Sequence, residues 1–170
     1  SDTLIGGAGD DRLYFGREAF LNEDNLSGDK AFGDEGNDTL VIDFVGSQNR
    51  SNMTYRILEG TVSSVENLVI VDNRSNYLRM PADVWLSFDT VQMGQPNNWY
   101  WEGIRLQIDG AGESIDFSAM TQGSYANYIE LHGSFESIDL TTNPVSFPAD
   151  GWWDPGQVWV YGTFTSLTGS

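Results

Sequence analysis

Apolar and polar residues alternate in several short stretches of the second half of the chain. Alternation places successive side chains on opposite faces of a strand, and these stretches are rich in the β-branched and aromatic residues that strands favour. No stretch sustains the period of an amphipathic helix. The pattern therefore predicts an all-β protein, with inward-facing positions at Ile104, Leu106 and Ile108, at Ile129 and Leu131, and at Val158 and Val160.

A longer recurrence links these strands. Four stretches share an apolar strand, then a glycine, then an apolar residue five positions later: "YRILEGTVSSVENL", "IRLQIDGAGESIDF", "YIELHGSFESIDL" and "VWVYGTFTSLTG", with the glycines at Gly60, Gly110, Gly133 and Gly162. The segment "VENLVIVDNRSNYLRMPADVWLSFDTV" is a candidate for a further coil. Coils of roughly 20 to 30 residues with variable loops accommodate the irregular spacing. We expect a parallel β-solenoid, with an antiparallel β-sandwich as the alternative.

The first 44 residues follow a different and stricter pattern. The blocks "DTLIGGAGDDRLY" and "DKAFGDEGNDTLV" both read D-x-U-x-G-x-x-G-x-D-x-U-x, where U is an apolar residue. Leu4 and Leu13 are nine residues apart, as are Ala31 and Leu40. This spacing predicts half-coils of nine residues, each with an apolar side chain that points inward from a very short strand.

Composition narrows the function. The chain has 25 acidic and 8 basic residues, for a formal charge of −17, which disfavours nucleic acids and anionic lipids and attracts cations. It is 39% hydrophobic and 13% aromatic, which indicates a folded chain rather than an acidic tail. There is no cysteine, so disulfides and thiolate metal sites are excluded. A metal that prefers oxygen ligands is the natural candidate to stabilise the fold.

The residue types in the two blocks suit such a metal. Glycines allow a tight turn that directs several carbonyl oxygens at one point, and an aspartate adds an anionic oxygen there. Ca²⁺ takes six to eight oxygen ligands, at about 2.3–2.6 Å. With nine-residue half-coils, same-side turns recur every eighteen residues, so we expect Asp11 and Asp29 on one side of the roll, with turn 6–11 against turn 24–29. Asp2 and Asp38 are expected on the other side, and Glu18, Glu23 and Asp24 are additional candidate ligands.

The block "GGAGDDRLY" resembles the nonapeptide G-G-x-G-x-D-x-U-x of the repeats-in-toxin (RTX) family. The block "GDEGNDTLV" is similar but carries Asp34 in place of the second glycine. The resemblance covers residues 1–44 and implies a right-handed parallel β-roll with calcium held between adjacent turns. It also implies a bacterial protein exported by a type I system to the cell surface or beyond. The expected metal-binding residues are Asp2, Gly6, Gly7, Gly9, Asp11, Asp24, Asp29, Gly33, Gly36 and Asp38.

These patterns divide the chain into two parts of one continuous module. Residues 1–44 are expected to form the calcium-bound roll, and residues 45–170 a wider, irregular β-helix with an aromatic-rich C-terminal part. The chain begins in the middle of a repeat unit, so we expect a fragment of a larger protein, monomeric on its own.

All six tryptophans lie beyond residue 80. Trp99 and Trp101 would share one face of a strand, while Trp152 and Trp153 are adjacent and would point in opposite directions. Two interpretations remain open: the tryptophans cap the open end of the solenoid, or they form a surface that binds a glycan or a protein partner.

The sequence gives little support for an enzymatic function. His132 is the only histidine and lies mid-strand, where it is typical of a hydrogen-bonded structural residue rather than a base, and with no cysteine the chain has too few ligands for a transition-metal site. The carboxylate pairs Asp109/Glu113 and Glu130/Glu136 could serve a glycosidase, but so acidic a chain yields such pairs by chance. No run approaches the roughly 18 apolar residues of a membrane span. The sequence therefore predicts a non-catalytic, calcium-binding structural element of an adhesin or exoprotein. A glycan- or partner-binding domain is the second interpretation, and a carbohydrate-active enzyme is the third.

Overall fold

The computed structural model describes residues 2–16, 29–43, 54–71, 77–93, 104–120, 126–141 and 157–169. These residues form twelve strands and one helix of a single turn. Their bounds are β1 Thr3–Ala8, β2 Arg12–Phe15, β3 Lys30–Glu35, β4 Thr39–Asp43, β5 Thr54–Arg56, β6 Val62–Ser63, β7 Asn67–Val71, β8 Tyr77–Pro81, α1 Ala82–Trp85, β9 Thr90–Met93, β10 Ile104–Asp116, β11 Ala126–Asp139 and β12 Gln157–Thr168.

Three parallel sheets make up the architecture. Their strand orders are β1-β3-β6, β2-β4-β7-β9 and β12-β11-β10-β8-β5. Every pairing between these strands is parallel. Each strand pairs with a strand that the chain reaches only after a long connection, as parallel pairing requires, even for β10, β11 and β12, which are consecutive in sequence. The predicted all-β parallel solenoid is confirmed, and the antiparallel sandwich is wrong.

The coil length differs from the prediction. Thr3 pairs with Lys30 and Arg12 pairs with Thr39, so the two N-terminal blocks are one full coil apart and not three half-coils of nine residues. Hydrogen bonds between equivalent turn residues span 27 positions from the first coil to the second and 28 from the second to the third. The nine-residue spacing is correct within each block. Because one coil takes 27 residues, the expected eighteen-residue period is wrong.

The inward-facing apolar residues form one core that runs through the coils. Leu13, Ala31 and Leu40, which follow the turn aspartates, are buried, and Leu4 of the outermost coil packs against them. In the central coils Trp85 is only 1% exposed, and its ring meets Phe117 edge to face at 5.9 Å. Its indole N–H donates to the backbone oxygen of Asp116 at 3.2 Å. This tryptophan is a core residue.

A column of glycines stands where the three long strands bend. Gly110, Gly133 and Gly162 lie side by side in register on β10, β11 and β12. A Cβ on Gly133 would overlap the backbone oxygen of Gly110, and one on Gly162 would overlap that of Gly133. The recurring glycine in the sequence thus permits close approach of successive coils. Gly60 is outside this column, in a turn before β6 with φ +71°.

Aspartates close the ends of two of the long strands. Asp139 Oδ1 accepts hydrogen bonds from the Thr141 hydroxyl at 2.7 Å and the Thr141 N–H at 2.8 Å. These two bonds favour the carboxylate and hold the pKa of Asp139 below its ordinary value. Asp116 makes the same pair of bonds to Ser118 one coil earlier. The motif D-x-S/T therefore marks the corner after the strand in successive coils.

The last strand, β12, forms the edge of its sheet. Its core-facing residues Val158 and Val160 are half-buried, while Phe164 and Leu167 are 43% and 48% exposed. Trp159, on the outer face, is 42% exposed. The residues expected to cap this layer or to bind a ligand, Trp99, Trp101, Trp152 and Trp153, lie outside the described residues.

Candidate metal site

Acidic residues stack in a column beside the second sheet. Asp11, Asp38 and Glu66 each directly precede one of its strands, β2, β4 and β7. The Asp11 N–H donates to Asp38 Oδ1 at 2.7 Å, and the Asp38 N–H donates to Glu66 Oε2 at 2.8 Å. The Asp38 and Glu66 carboxylates therefore each accept the backbone N–H of the acidic residue one coil before. The parallel register places three acidic side chains at successive levels of one edge.

Two oxygens of this column are buried without a partner. Among the described residues, Asp11 Oδ2 and Asp38 Oδ2 have almost no accessible surface and no hydrogen bond within the protein. Asp38 as a whole is 0% exposed. A buried anionic oxygen with no counterpart is costly, by several kcal/mol even after relaxation of the protein. These two atoms make this edge of the sheet the candidate metal site.

The first of these oxygens faces a niche formed by two glycines. A Cβ on Gly6 would lie 2.8 Å from Asp11 Oδ2 and 2.8 Å from the carbonyl oxygen of Gly33. A carboxylate oxygen of one turn and a carbonyl oxygen of the next therefore both approach Gly6 too closely for a side chain. We call this pair of oxygens beside Gly6 the Gly6 niche. Its donors are the hard oxygens that Ca²⁺ selects.

The turns around the niche keep their shape despite the sequence difference between the two blocks. Gly7 has φ +102°, and Asp34, which replaces glycine at the equivalent position of the second block, also has a positive φ of +73°. Aspartate is one of the few residues that tolerate this conformation. Gly9 donates its N–H to the Glu35 oxygen at 2.7 Å, and a Cβ on Gly36 would overlap the Gly9 oxygen. The two turns stack directly.

The opposite edge of the roll carries a second acidic pair. Asp2 donates its N–H to Oδ1 of the buried Asp29 at 2.6 Å. The predicted pairing of Asp11 with Asp29 is therefore wrong: Asp11 pairs with Asp38 and Asp2 with Asp29, because the coil is 27 residues long. Asp24, expected to face Asp11, lies outside the described residues.

Side chains alone do not enclose an ion in the described ranges. No group of three or more aspartate, glutamate, histidine or cysteine side chains lies within reach of one metal there. A site at the Gly6 niche would therefore combine carboxylate with backbone carbonyl oxygens. This agrees with the sequence pattern, in which the glycine-rich turns allow several carbonyl oxygens to point at one position.

Sequence reasoning missed Glu66 as part of the acidic column. The signal was present, because Glu66-Asn67-Leu68 repeats the order acid, any residue, apolar residue of Asp38-Thr39-Leu40. The preceding segment "TVSS" lacks the glycines of the nonapeptide, so the sequence around Glu66 does not match the pattern of the two N-terminal blocks. Only the strand register brings it level with the earlier turns.

The candidate catalytic carboxylates lie on strands of the third sheet. Asp109 pairs with Arg79 and accepts from Gln107, and Glu113 accepts the Ala111 N–H at 2.6 Å. On β11, Glu130 Oε2 is 3.0 Å from Nε2 of His132. Glu136 accepts the hydroxyl of Ser114 at 3.2 Å. These contacts give each carboxylate a structural partner.

Parallel coils joined by acidic, glycine-rich turns define a class of protein, the metal-stabilised β-solenoid. Residues 1–19 and 25–41 match the family model described as RTX calcium-binding nonapeptide repeat (4 copies). RTX nonapeptide repeats bind calcium, and the N-terminal part of the chain is therefore a calcium-binding structural module. Neither the curated proteins nor the solved structures include a match to the chain. Over the ranges described, no helix has the length and apolar character needed to cross a bilayer.

Proposed function

We propose that residues 2–43 are a calcium-dependent folding element of a secreted bacterial protein. The observation that carries the proposal is the buried, unpartnered Asp11 Oδ2 beside the Gly33 carbonyl oxygen in the Gly6 niche. Without an ion, the negative charge of a carboxylate and the negative end of a carbonyl dipole lie close together with no positive charge beside them. With Ca²⁺, the same oxygens become ligands. The free energy of calcium binding therefore stabilises the folded state of this segment.

The sequence context suits a protein that folds outside the cell. RTX repeats occur in proteins secreted by bacteria, and the chain has no cysteine to form stabilising disulfides. Extracellular calcium modules bind their ions with Kd values of about 10⁻⁴–10⁻³ M, so they fill where calcium is plentiful. A role as a structural segment of an adhesin or exoprotein follows from a stiff solenoid of this kind.

Calorimetry of the Asp11→Asn variant tests the calcium site. The amide keeps the size of the side chain but removes the charge, so we expect roughly a hundredfold weaker binding or the loss of one binding event, since ligand charge tunes calcium affinity over orders of magnitude. Asp83→Asn is the matched control, because Asp83 is exposed on α1 and bonds only the neighbouring Val84 N–H among the contacts described. Equal calcium binding by wild type and both variants would contradict the proposal.

A second function is favoured by the outer face of the last two strands. Trp159 and Tyr161 project from β12 with 42% and 46% of their surface exposed and ring centroids 6.1 Å apart. His132 stacks on Tyr161 at 4.7 Å, and Glu130 lies beside His132. Aromatic faces next to hydrogen-bonding groups suit the C–H faces and hydroxyls of a sugar. We propose a glycan-binding surface here; the same proposal extends to Trp99, Trp101, Trp152 and Trp153.

The Trp159→Ala variant tests this surface. We expect loss of retention on a polysaccharide that the wild-type protein binds in a glycan array, because aromatic anchors dominate such contacts. Leu86→Ala is the control, since Leu86 is similarly exposed at 45% but lies after α1. A wild-type protein that binds no glycan on the array, or a Trp159→Ala protein that binds as well as wild type, would rule this function out.

A further inference from the structure

We propose that two copies of this chain join tail to tail through β12, the edge strand of the third sheet. The two strands would run antiparallel about a two-fold axis at Gly162, and each copy would cover the open core layer of the other. This goes beyond the proposed functions, because neither calcium binding nor glycan binding requires it. Three features of β12 carry the proposal: its exposed core layer, its lack of charge and the placement of its apolar residues around Gly162.

The core is complete at β11 and incomplete at β12. In the parallel register Phe135 lies beside Phe164, and Ile138 lies beside Leu167. With β12 next to them, Phe135 is 3% exposed and Ile138 is 0% exposed, whereas Phe164 and Leu167 remain 43% and 48% exposed. A contiguous apolar patch of this kind marks an interaction surface. One more strand beside β12 would bury this layer as β12 buries the layer before it.

The sequence of β12 does not protect the edge of the sheet. Edge strands of natural proteins are usually short, or carry charged residues or proline that prevent pairing with another chain. β12 is 12 residues long, and its sequence "QVWVYGTFTSLT" contains neither a charged residue nor proline. The two strands before it in the sheet, β10 and β11, both carry several acidic residues. The backbone edge of β12 is therefore open to pairing with no charge to desolvate.

The charge of the chain favours a second copy as the occupant. With a formal charge of −17, two copies repel each other wherever their acidic surfaces meet. A basic partner would instead be attracted to acidic surfaces such as the column of Asp11, Asp38 and Glu66, which lies beside the second sheet. An uncharged strand is the surface that another copy approaches with least repulsion, and that copy supplies the same uncharged strand.

The apolar residues of β12 match one another under two-fold symmetry. Such an axis places residues at equal distances on either side of it next to each other in the two copies. With Gly162 on the axis, Val160 of each copy lies beside Phe164 of the other, so apolar side chains meet on the core side. Tyr161 and Thr163 meet in the same way on the outer side. Gly162 has no side chain to separate the strands at the axis, just as the glycine column allows close approach within one chain.

A head-to-tail arrangement lacks this match. It would bring β12 of one copy to β1, the edge strand in the first coil of another. Asp2 and Asp11 flank β1 and have paired with acidic residues of the next coil. Head-to-tail contacts also generate open chains of molecules, whereas a two-fold contact closes at the dimer. The two arrangements therefore predict different sizes of assembly.

Sedimentation equilibrium of the whole chain in saturating calcium tests the dimer. We expect a monomer–dimer equilibrium without larger species at concentrations up to about 1 mM, because an interface made by one pair of strands lies at the weak end of the range. Added salt should strengthen the dimer, since it screens the repulsion between two acidic copies. A monomer at every concentration, as the sequence analysis expects, would overturn the proposal.

Phe164→Lys and Leu86→Lys are a matched pair of variants. Both introduce the same charge at side chains of similar exposure, 43% and 45%, but only Phe164 lies on β12. Each lysine lowers the net negative charge, so a general charge effect would strengthen association in both variants. We expect the dimer Kd to rise by roughly tenfold or more in Phe164→Lys alone, because its lysine would be desolvated between the strands. An unchanged Kd in Phe164→Lys would refute the interface.

Spin labels determine the orientation without a change in the core. The chain has no cysteine, so Thr163→Cys gives a unique attachment point on the outer side of β12. In the two-fold dimer the Thr163 positions of the two copies are diagonal neighbours, roughly 7–8 Å apart. We expect dipolar broadening of the electron paramagnetic resonance spectrum that disappears on dilution with unlabelled protein. Labels at Asp83→Cys, on α1, should show no broadening. Narrow lines from the Thr163 labels in the associated protein would overturn the two-fold pairing.

Discussion

Removal of calcium is expected to unfold residues 2–43 while the central coils stay folded. Chelation should lower the β-strand circular dichroism signal and open the first two coils to proteases, because the calcium proposed to offset the acidic turns would be lost. Each site contributes about 2.7 kcal/mol when free calcium is a hundredfold above its Kd. The first coil is expected to be the most sensitive, because its Ile5 is 64% exposed and contributes little to the core.

The cleavage pattern distinguishes this from general unfolding. Fragments that begin after residue 43 should persist, since β8, β10 and β11 bury Leu78, Ile108 and Leu131 completely in the apolar core. Calcium should restore protection, and the same concentration of Mg²⁺ should not, because Mg²⁺ keeps its water shell. A chelated protein with unchanged circular dichroism and unchanged protease resistance in residues 2–43 would show that calcium does not control this part of the fold.

Replacement of Trp85 by alanine is expected to cost about 3–5 kcal/mol, the range for a large buried aromatic. The side chain is 1% exposed, packs edge to face on Phe117 and donates its N–H to the Asp116 oxygen. Its loss would leave a cavity between α1 and β10, together with an unpaired backbone carbonyl. Urea denaturation in saturating calcium measures the effect, with the calcium sites held occupied in every variant.

Trp159→Ala is the matched control for this change. The same substitution at the outer face of β12, where the ring is 42% exposed, should change the free energy of unfolding by roughly 1 kcal/mol or less. Similar losses in both variants would mean that burial of Trp85 is not what stabilises the central coils. A larger loss for Trp159→Ala would instead assign the outer face a structural role.

Local pattern was sufficient to predict the strands and the chemistry of the turns. Alternation located the inward residues of β10 and β11, because the two-residue period of a strand is a property of neighbouring residues. The aspartates and glycines of the two N-terminal blocks predicted oxygen ligands for calcium for the same reason. The glycines at 110, 133 and 162 were also visible as a recurrence, and the structure shows that they stack.

The partners across the coils were decided only by the tertiary structure. Asp11 meets Asp38 rather than Asp29, because pairing depends on the length of chain that travels once around the solenoid. The sequence between the two blocks does not follow the D-x-U-x-G-x-x-G pattern clearly enough to give that length, so the nine-residue spacing was extended too far. Glu66 and Ser64 join the acidic edge for a related reason: strand pairing sets them level with Asp38 and Gly33, although their own sequence lacks the glycines of the repeat. The residue types of a turn can be read from a few neighbouring positions in the sequence. Which turn lies next to it, and so completes a metal site, depends on the strand register of the folded chain.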